Sequence, residues 1–395
     1  MRCMPPAAFR RPASLTCCAY LQAGGRRQLT NAAAIVDELK SRQLPIRIDD
    51  MSAGPSQLLR AAVSDFLPPD WSPRQRKFLP IHESSRSLPN GHHLVHFPPL
   101  TTEKDLLEDG TDVLHAPDRS WKYRLWAGGN VQYHRSIQLG TANRSLALVE
   151  RIGDVKVRDS KVFVQIQRAI VENESSGATW GAPKADEAAA RLRSIAFPDT
   201  GRHTDNSRDT RQLYARENRW LCFTQNKPTN PPPPFNPPTK EPFYTATLTP
   251  TPSLLFRFSA LTFNAHAIHI DAEYTKSIYG LPERLVQGPL TLVLMLEVAR
   301  RATGALYETM SASGAGTGSK QESYYVDAID YKNHAPLYVN EEITVACAWP
   351  EDLDSTAAAA APRMSVWIQK SHPQMGEPTV CASGTVPLRR LPMKT

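Results

Sequence analysis

The chain has 395 residues, 41% of them hydrophobic, enough for two sizeable cores or one large one. Its formal net charge is +7, but Arg2, Arg10, Arg11, Arg26 and Arg27, in a stretch without acids, carry most of it. Without them the balance is near neutral, and no basic run interleaves with aromatics, which argues against a nucleic-acid binder.

Residues 1–30 are rich in arginine, contain alanine and serine, and lack acids, the composition of a mitochondrial transit peptide. Three of the six cysteines (Cys3, Cys17, Cys18) lie there. Cys222, Cys347 and Cys381 are an odd number and widely spaced. They form neither a disulfide framework nor a zinc spacing, and buried thiols in a reducing compartment are expected.

Residues 32–66 read as helical, with Ile35, Leu39, Leu58, Leu59 and Ala62 spaced for one face. Residues 80–118 mix proline, glycine and histidine and read as irregular. His92, His93 and His96 imitate a metal cluster there, but no Cys, Asp or Glu stands at ligand spacing, so no metal is expected. From Tyr123 to Val171 the pattern alternates with period two, broken at Gly140 and Gly153. Residues 173–210 are polar and read as a surface insertion, and Arg219–Thr224 as a further strand.

Residues 227–242, KPTNPPPPFNPPTKEP, read as a stiff extended linker. Thr247–Phe258 is strand-like. A polar patch follows, Asn264, His266, His269 and Asp271, and then the most hydrophobic run of the chain, Leu290–Ala299, opened by Gly288 and Pro289. Proline suits a first helical turn. Fifteen residues, 289–303, are too few for a membrane span of about 20. A helix apolar nearly all round is a buried one, so this run is expected to form a central helix wrapped by a sheet. Glu297 inside it is expected to pair at a half-domain or subunit contact. Four more strands are expected at 323–331, 342–348, 364–370 and 379–386. The order of strand, buried helix and antiparallel strands is that of an α+β fold.

The spacing Asn264-x-His266-x-x-His269-x-Asp271, followed by Val286-Gln287-Gly288-Pro289-Leu290, resembles the (R)-specific hydratases of the MaoC type. Within them it is most similar to the fungal mitochondrial 3-hydroxyacyl-thioester dehydratase type 2 branch. Leu88-Pro-Asn-Gly-His-His and Trp126-Ala-Gly-Gly129 extend the resemblance, which spans roughly residues 50–390. It implies a double hotdog, each half a long helix rolled in a sheet. The half at 31–226 would have lost its long helix and catalytic residues, and the half at 243–395 would be catalytic.

The resemblance makes His269 the catalytic histidine, a group able to pass a proton near working pH. Asn264 stands where the family has a catalytic aspartate. An amide orients a water but cannot take a proton, so His266 joins His269 as a second candidate. Asp271 is expected either to orient the imidazole or to cap the next turn. Gly288, with Pro289, would offer a backbone N–H to a thioester oxygen that gains enolate charge.

The implied activity is a cofactor-free lyase that interconverts a (3R)-hydroxyacyl thioester and a trans-2-enoyl thioester. Its substrate would be carried on acyl carrier protein or coenzyme A, in fatty acid synthesis in the mitochondrial matrix, without nucleic acid or a membrane span. A homodimer is compatible with this. A non-catalytic acyl-thioester binder, a thioesterase and a mesaconyl-type CoA hydratase stay open as alternatives.

Overall fold

The computed structural model describes residues 32–67, 87–141, 144–173, 185–198, 212–227, 241–312, 322–349, 362–371 and 378–392. The expected transit peptide and nearly all of the expected linker lie outside the described residues.

Eleven strands among the described residues form a single antiparallel sheet. The N-terminal part comprises β1 (Arg47–Asp49), β2 (Tyr123–Tyr133), β3 (Ser145–Arg158), β4 (Lys161–Asn173) and β5 (Leu213–Thr224). The C-terminal part comprises β6 (Tyr244–Leu248), β7 (Glu322–Val326), β8 (Ala328–Asn333), β9 (Ile343–Ala348), β10 (Arg363–Ser371) and β11 (Pro378–Pro392). The order is β1-β3-β4-β5-β2-β8-β11-β10-β9-β6, with β7 on β11. Strands β2 and β8 join the two parts, from Gly128 opposite Lys332 to Gln132 opposite Ala328.

The helix α7 (Gly288–Ala312) runs 25 residues, longer than the apolar run that announced it. Leu290, Leu292, Val293, Leu294 and Met295 are wholly inaccessible to solvent. Strand residues Val345, Cys347, Met364 and Ile368 pack around the helix in one cluster with Leu59, Ala62 and Val63 of α2 (Ala53–Val63). An element that is apolar on all sides can only be covered on all sides, and the sheet and α2 supply that cover.

The N-terminal part has no such helix among the described residues. The short α1 (Ala32–Ser41) lays Ile35 and Leu39 on Ile152, Val162, Val164 and Leu221. The reading of 32–66 as helical holds for α1 and α2 but misses β1, entered after Pro45, which forces the chain out of helix. The polar segment 173–210 is more than an insertion. It carries α3 (Ala185–Ala196), whose Leu192 and Ile195 cover Ala147, Val149 and Ala169. Gly153 does not end β3 but lies in a bulge between Ile152 and Val155. The stretch 323–331 is two strands, parted at Asp327.

Thr247–Phe258 is not one strand. β6 ends at Leu248, and α4 (Pro252–Thr262) begins four residues later. Thr251 caps it, accepting from the Leu254 N–H at 3.2 Å, with Pro252 in the first turn. Leu254, Leu255, Phe258 and Ser259 then share the buried face at helical spacing.

Candidate active site

Helix α4 stops where Phe263 adopts a left-handed conformation (φ 52°), and the Asn264 N–H closes back on the Ser259 carbonyl at 2.8 Å. The polar patch begins at that turn. Asn264 Oδ1 accepts from the His266 N–H at 3.1 Å, so the amide oxygen is engaged and the NH2 group is the end able to hold a ligand. His269 lies on the single turn α5 (Ala267–Ile270). Its Nδ1–H donates to the Leu285 carbonyl at 2.8 Å, which leaves Nε2 as the basic nitrogen. Burial lowers the imidazole's pKa to about 4, against the opposing effect of the Leu285 carbonyl and with help from the Arg124 charge. His269 is therefore neutral at pH 7.

His266 is buried, and its ring meets that of His269 edge to face, centroids 5.5 Å apart. The Tyr279 hydroxyl is 3.3 Å from His266 Nε2, and Asp109 Oδ2 is 3.6 Å away. Burial, then the His269 and Arg124 charges, hold His266 well below the usual histidine range. Burial, and the Asp109 charge after it, push the Tyr279 phenol upward.

Gln287, wholly buried, fixes the start of α7 by donating to the Leu255 carbonyl and to Ser259 Oγ, both at 2.9 Å. The first amides of a helix have no intrahelical acceptor, and those of α7 open beside the histidines. Gly288 is needed there for space: a Cβ on it would sit 2.8 Å from Cβ and Cγ of Trp126. Asn264, His266, His269, Gly288, Pro289 and Trp126 border one cavity of about 1790 Å³, which continues into the N-terminal part of the sheet.

The geometry thus brings Asn264, His266, His269, Gly288 and Pro289 together. It does not add Asp271. That side chain is exposed and caps the next turn, accepting from the Tyr274 N–H at 3.0 Å. The Leu285 carbonyl, not Asp271, orients the imidazole. Of the two roles expected of Asp271, the structure shows the cap, on α6 (Ala272–Tyr274), and as Asp271 does not border the cavity it is no longer a substrate-binding candidate. His92, His93 and His96, which imitate a metal cluster in the sequence, have separate partners. His92 Nε2–H donates to Glu297 at 3.1 Å while the Ser56 hydroxyl donates to its Nδ1, His93 faces Glu217, and His96 faces Asp49. Glu297 of α7 therefore pairs with the N-terminal part, and also with Arg300 and Arg301.

Three groups of the site escape the sequence motif. Asp109 comes from a distant loop whose carbonyl accepts from the Ala267 N–H at 2.8 Å; its only local signal was the Asp-Gly turn pair. Tyr279 and Arg124 had no signal, since neither stands in a recognisable spacing.

A family profile described as hydroxyacyl-thioester dehydratase type 2 matches residues 91–184 and 186–339. The chain belongs to that family. It is 23% identical over 343 residues to the mitochondrial hydroxyacyl-thioester dehydratase type 2 of Schizosaccharomyces pombe, covering 86% of this chain and 97% of the relative. The mesaconyl-C(4)-CoA hydratase of Chloroflexus aurantiacus is 27% identical over 220 residues, 55% of this chain and 65% of that one. A MaoC-like dehydratase structure from Phytophthora capsici superposes with a TM-score of 0.52 at 12% identity, covering 89% of this chain and 98% of its own. The fold is thus the MaoC-like double hotdog, α+β in class, and the chain is a hydro-lyase.

Proposed function

We propose that the enzyme interconverts (3R)-hydroxyacyl and trans-2-enoyl thioesters, with His269 as the catalytic residue. The supporting observation is the hydrogen bond from His269 Nδ1–H to Leu285, which leaves a neutral Nε2 bordering the cavity beside the start of α7. In dehydration Nε2 takes the proton from carbon 2. The electron pair moves toward the thioester oxygen, where the first-turn amides of α7 stabilise the developing charge. The carbon–oxygen bond at carbon 3 then breaks. The imidazolium returns its proton to the departing hydroxide, which leaves as water, and Nε2 is neutral again. The NH2 group of Asn264 holds that hydroxyl. His266, Asp109 and Tyr279 position His269 rather than exchange protons with substrate, because Nε2 of His266 faces the Tyr279 hydroxyl and Asp109.

Within this reading Gly288 and Pro289 serve the thioester oxygen, and the carrier is coenzyme A or acyl carrier protein. The Schizosaccharomyces pombe relative is named mitochondrial. With the arginine-rich, acid-free residues 1–30 that supports a role in mitochondrial fatty acid synthesis, in the matrix; the same reading divides the chain at 31–226, 227–242 and 243–395. Hydration of trans-2-butenoyl-CoA, followed by loss of enoyl-thioester absorbance, tests the reaction. Release of free thiol instead would make the protein a thioesterase, and no change with measurable binding would make it a binder. A chain expressed from residue 31 is expected to lose mitochondrial import, and unchanged import would refute the address.

A further inference from the structure

The cavity is lined from both faces of the same strands. Side chains alternate along a strand. Arg124 and Trp126 border the cavity from one face of β2, and Leu125 borders it from the other. Leu125 stands opposite Cys222 of β5, and Cys222 opposite Phe163 of β4. Lys161 lies two residues before Phe163, on the same face, and all four border the cavity. The cavity therefore passes around the sheet at the start of β2. It has an inner lobe on the side of Trp126 and an outer lobe on the side of Leu125.

The two lobes differ in how their charges are met. On the inner side Arg168 lies in the middle of a chain of ion pairs: Nε to Glu150 at 2.7 Å and Nη1 to Glu217 at 2.5 Å. Arg47 takes the second oxygen of Glu150 at 2.9 Å, and Arg219 closes the chain on Glu217. On the outer side Lys161 and Lys227 are exposed, and among the described residues neither has an ion-pair partner. None of the carboxylates that border the cavity, Glu103, Asp112 and Glu150, is in ion-pair range of them. The third lysine on the cavity, Lys370, is taken by Glu341 at 2.9 Å.

Lys161 and Lys227 share one rim of the outer lobe. Lys161, Thr224 and Tyr123 stand side by side on three adjacent strands. Tyr123 meets Tyr279 edge to face, ring centroids 5.0 Å apart. Gly280 follows in a left-handed conformation (φ 64°), and a Cβ on it would collide with the Lys227 ammonium. The rim also lies at a set remove from the base. The His269 ring is 5.5 Å from that of His266, which is 6.1 Å from that of Tyr279, and Lys227 lies beyond it. An extended chain advances about 3.5 Å for every three bonds, so the roughly thirteen bonds from the sulfur to the phosphorus of a phosphopantetheine arm span about 15 Å. That is the order of the path from His269 to Lys227.

Resting on the reading of the cavity as an acyl-thioester site, we propose that the carrier arm runs through the outer lobe, along Leu125, Cys222 and Phe163, and that Lys161 and Lys227 hold its phosphate. The acyl chain takes the inner lobe. A phosphate at two exposed lysines keeps most of its water. In the inner lobe it would give up that water among guanidinium groups that already have carboxylate partners. The group recognised is the phosphate at the end of the pantetheine arm, which coenzyme A and acyl carrier protein share. A lysine at the end of a helical turn also suits that turn's C-terminal carbonyls, so the test isolates the phosphate.

Two substrates that differ only in that group are compared on the full chain: the trans-2-butenoyl thioesters of phosphopantetheine and of pantetheine. The phosphorylated one is expected to show at least about fivefold higher kcat/KM at low salt, through KM, with the advantage shrinking as salt rises. The double variant Lys161→Ala, Lys227→Ala should bring the ratio to near one. The double variant Lys161→Arg, Lys227→Arg should retain it, with thermal melts reporting whether each is folded. Equal kcat/KM for the two substrates in the wild-type protein would overturn the proposal, as would an undiminished ratio in the alanine variant.

The alanine variant assayed with the trans-2-butenoyl thioesters of coenzyme A and of acyl carrier protein tells the two sources apart. The carrier whose KM rises is the one the lysines serve, and a rise with neither overturns the proposal. If no thioester is hydrated, the hydratase reading fails, and calorimetry with the saturated butanoyl thioesters of phosphopantetheine and pantetheine decides the proposal separately. Tighter, lysine-dependent binding of the phosphorylated form upholds it, and equal binding overturns it.

Discussion

One sheet holds two different fillings. In the C-terminal part it wraps α7, where Leu290 through Met295, Thr291 included, are buried. In the N-terminal part the corresponding space holds the short α1 at one end, an open cavity, and the chain of ion pairs through Arg168. The first filling gains from removing apolar surface from water, about 25 cal/mol per Å². The second is held by groups that would each be costly if left alone in the interior. The apolar filling tolerates no ligand, whereas the charged one leaves room for one. That difference explains why the loop of Asn264, His266 and His269, though carried by the C-terminal part, borders a cavity that continues into the N-terminal part.

The comparison breaks most visibly if the charged filling is cut. Glu217→Ala leaves the buried guanidinium groups of Arg168 and Arg219 without their shared partner, at a cost of about 3–5 kcal/mol. The opposing effects on Glu217 agree in direction: burial pushes its carboxyl up, but the charges of Arg219 and Arg168 outweigh that and hold it well below the usual range. Urea unfolding at pH 7 measures the loss. A change under about 1 kcal/mol would mean that the network does not support the fold.

Next in size is His269→Ala. The one described hydrogen bond of its side chain is to the Leu285 carbonyl, so folding should survive while turnover falls roughly a hundredfold or more. Turnover near that of the wild type would remove His269 from the reaction. Gly288→Ala sharpens the same boundary from the other side. The new Cβ would press on Trp126, which is itself held by its Nε1–H to Tyr331 at 2.9 Å and by stacked Arg219. Overpacking of this kind costs about 1–3 kcal/mol. It should lower kcat together with stability, and an unchanged melting temperature and kcat would show that the ring moves freely.

The two fillings also differ in how legible they were. An apolar run of helical length after Gly-Pro leaves one structural solution, and the strands alternate with period two, so α7 and most of the sheet could be read in order. The Asn264–Asp271 patch could be placed because its residues are local. The charged filling is assembled from Arg47, Glu150, Arg168, Glu217 and Arg219, which are scattered over 170 positions and share no spacing. Each is an ordinary polar residue on a strand until register sets it beside the others, as Arg168 is set opposite Glu217 and Glu150. Asp271 stayed ambiguous for the converse reason, until the structure showed it as the cap. Its spacing suited two roles, and only the Leu285 carbonyl, sixteen residues beyond His269, decides between them.

The smallest effect tests Asn264, the position at which the resemblance implies an aspartate. Asn264 gives its oxygen to the His266 N–H and, in the proposed reaction, keeps its NH2 for the substrate. Removing a positioning amide costs less than removing the base, and Asn264→Ala should reduce turnover by about tenfold, near the net worth of one hydrogen bond. Asn264→Asp adds a negative charge close to two imidazoles. In the proposed reaction the active form of His269 is the neutral one, with its pKa lowered to about 4, so the activity of the wild type should stay level from neutral pH down to that region. A neighbouring carboxylate favours the imidazolium and raises that pKa. The acidic limb of kcat/KM should therefore move upward by about one pH unit, with activity retained at pH 8. A pH–rate profile of wild type and both variants reads this directly. If the limb stays in place in Asn264→Asp, the side chain at 264 does not face His269. If activity instead rises a thousandfold, the wild-type site is a degenerate one, and the chain's role is to bind acyl thioesters.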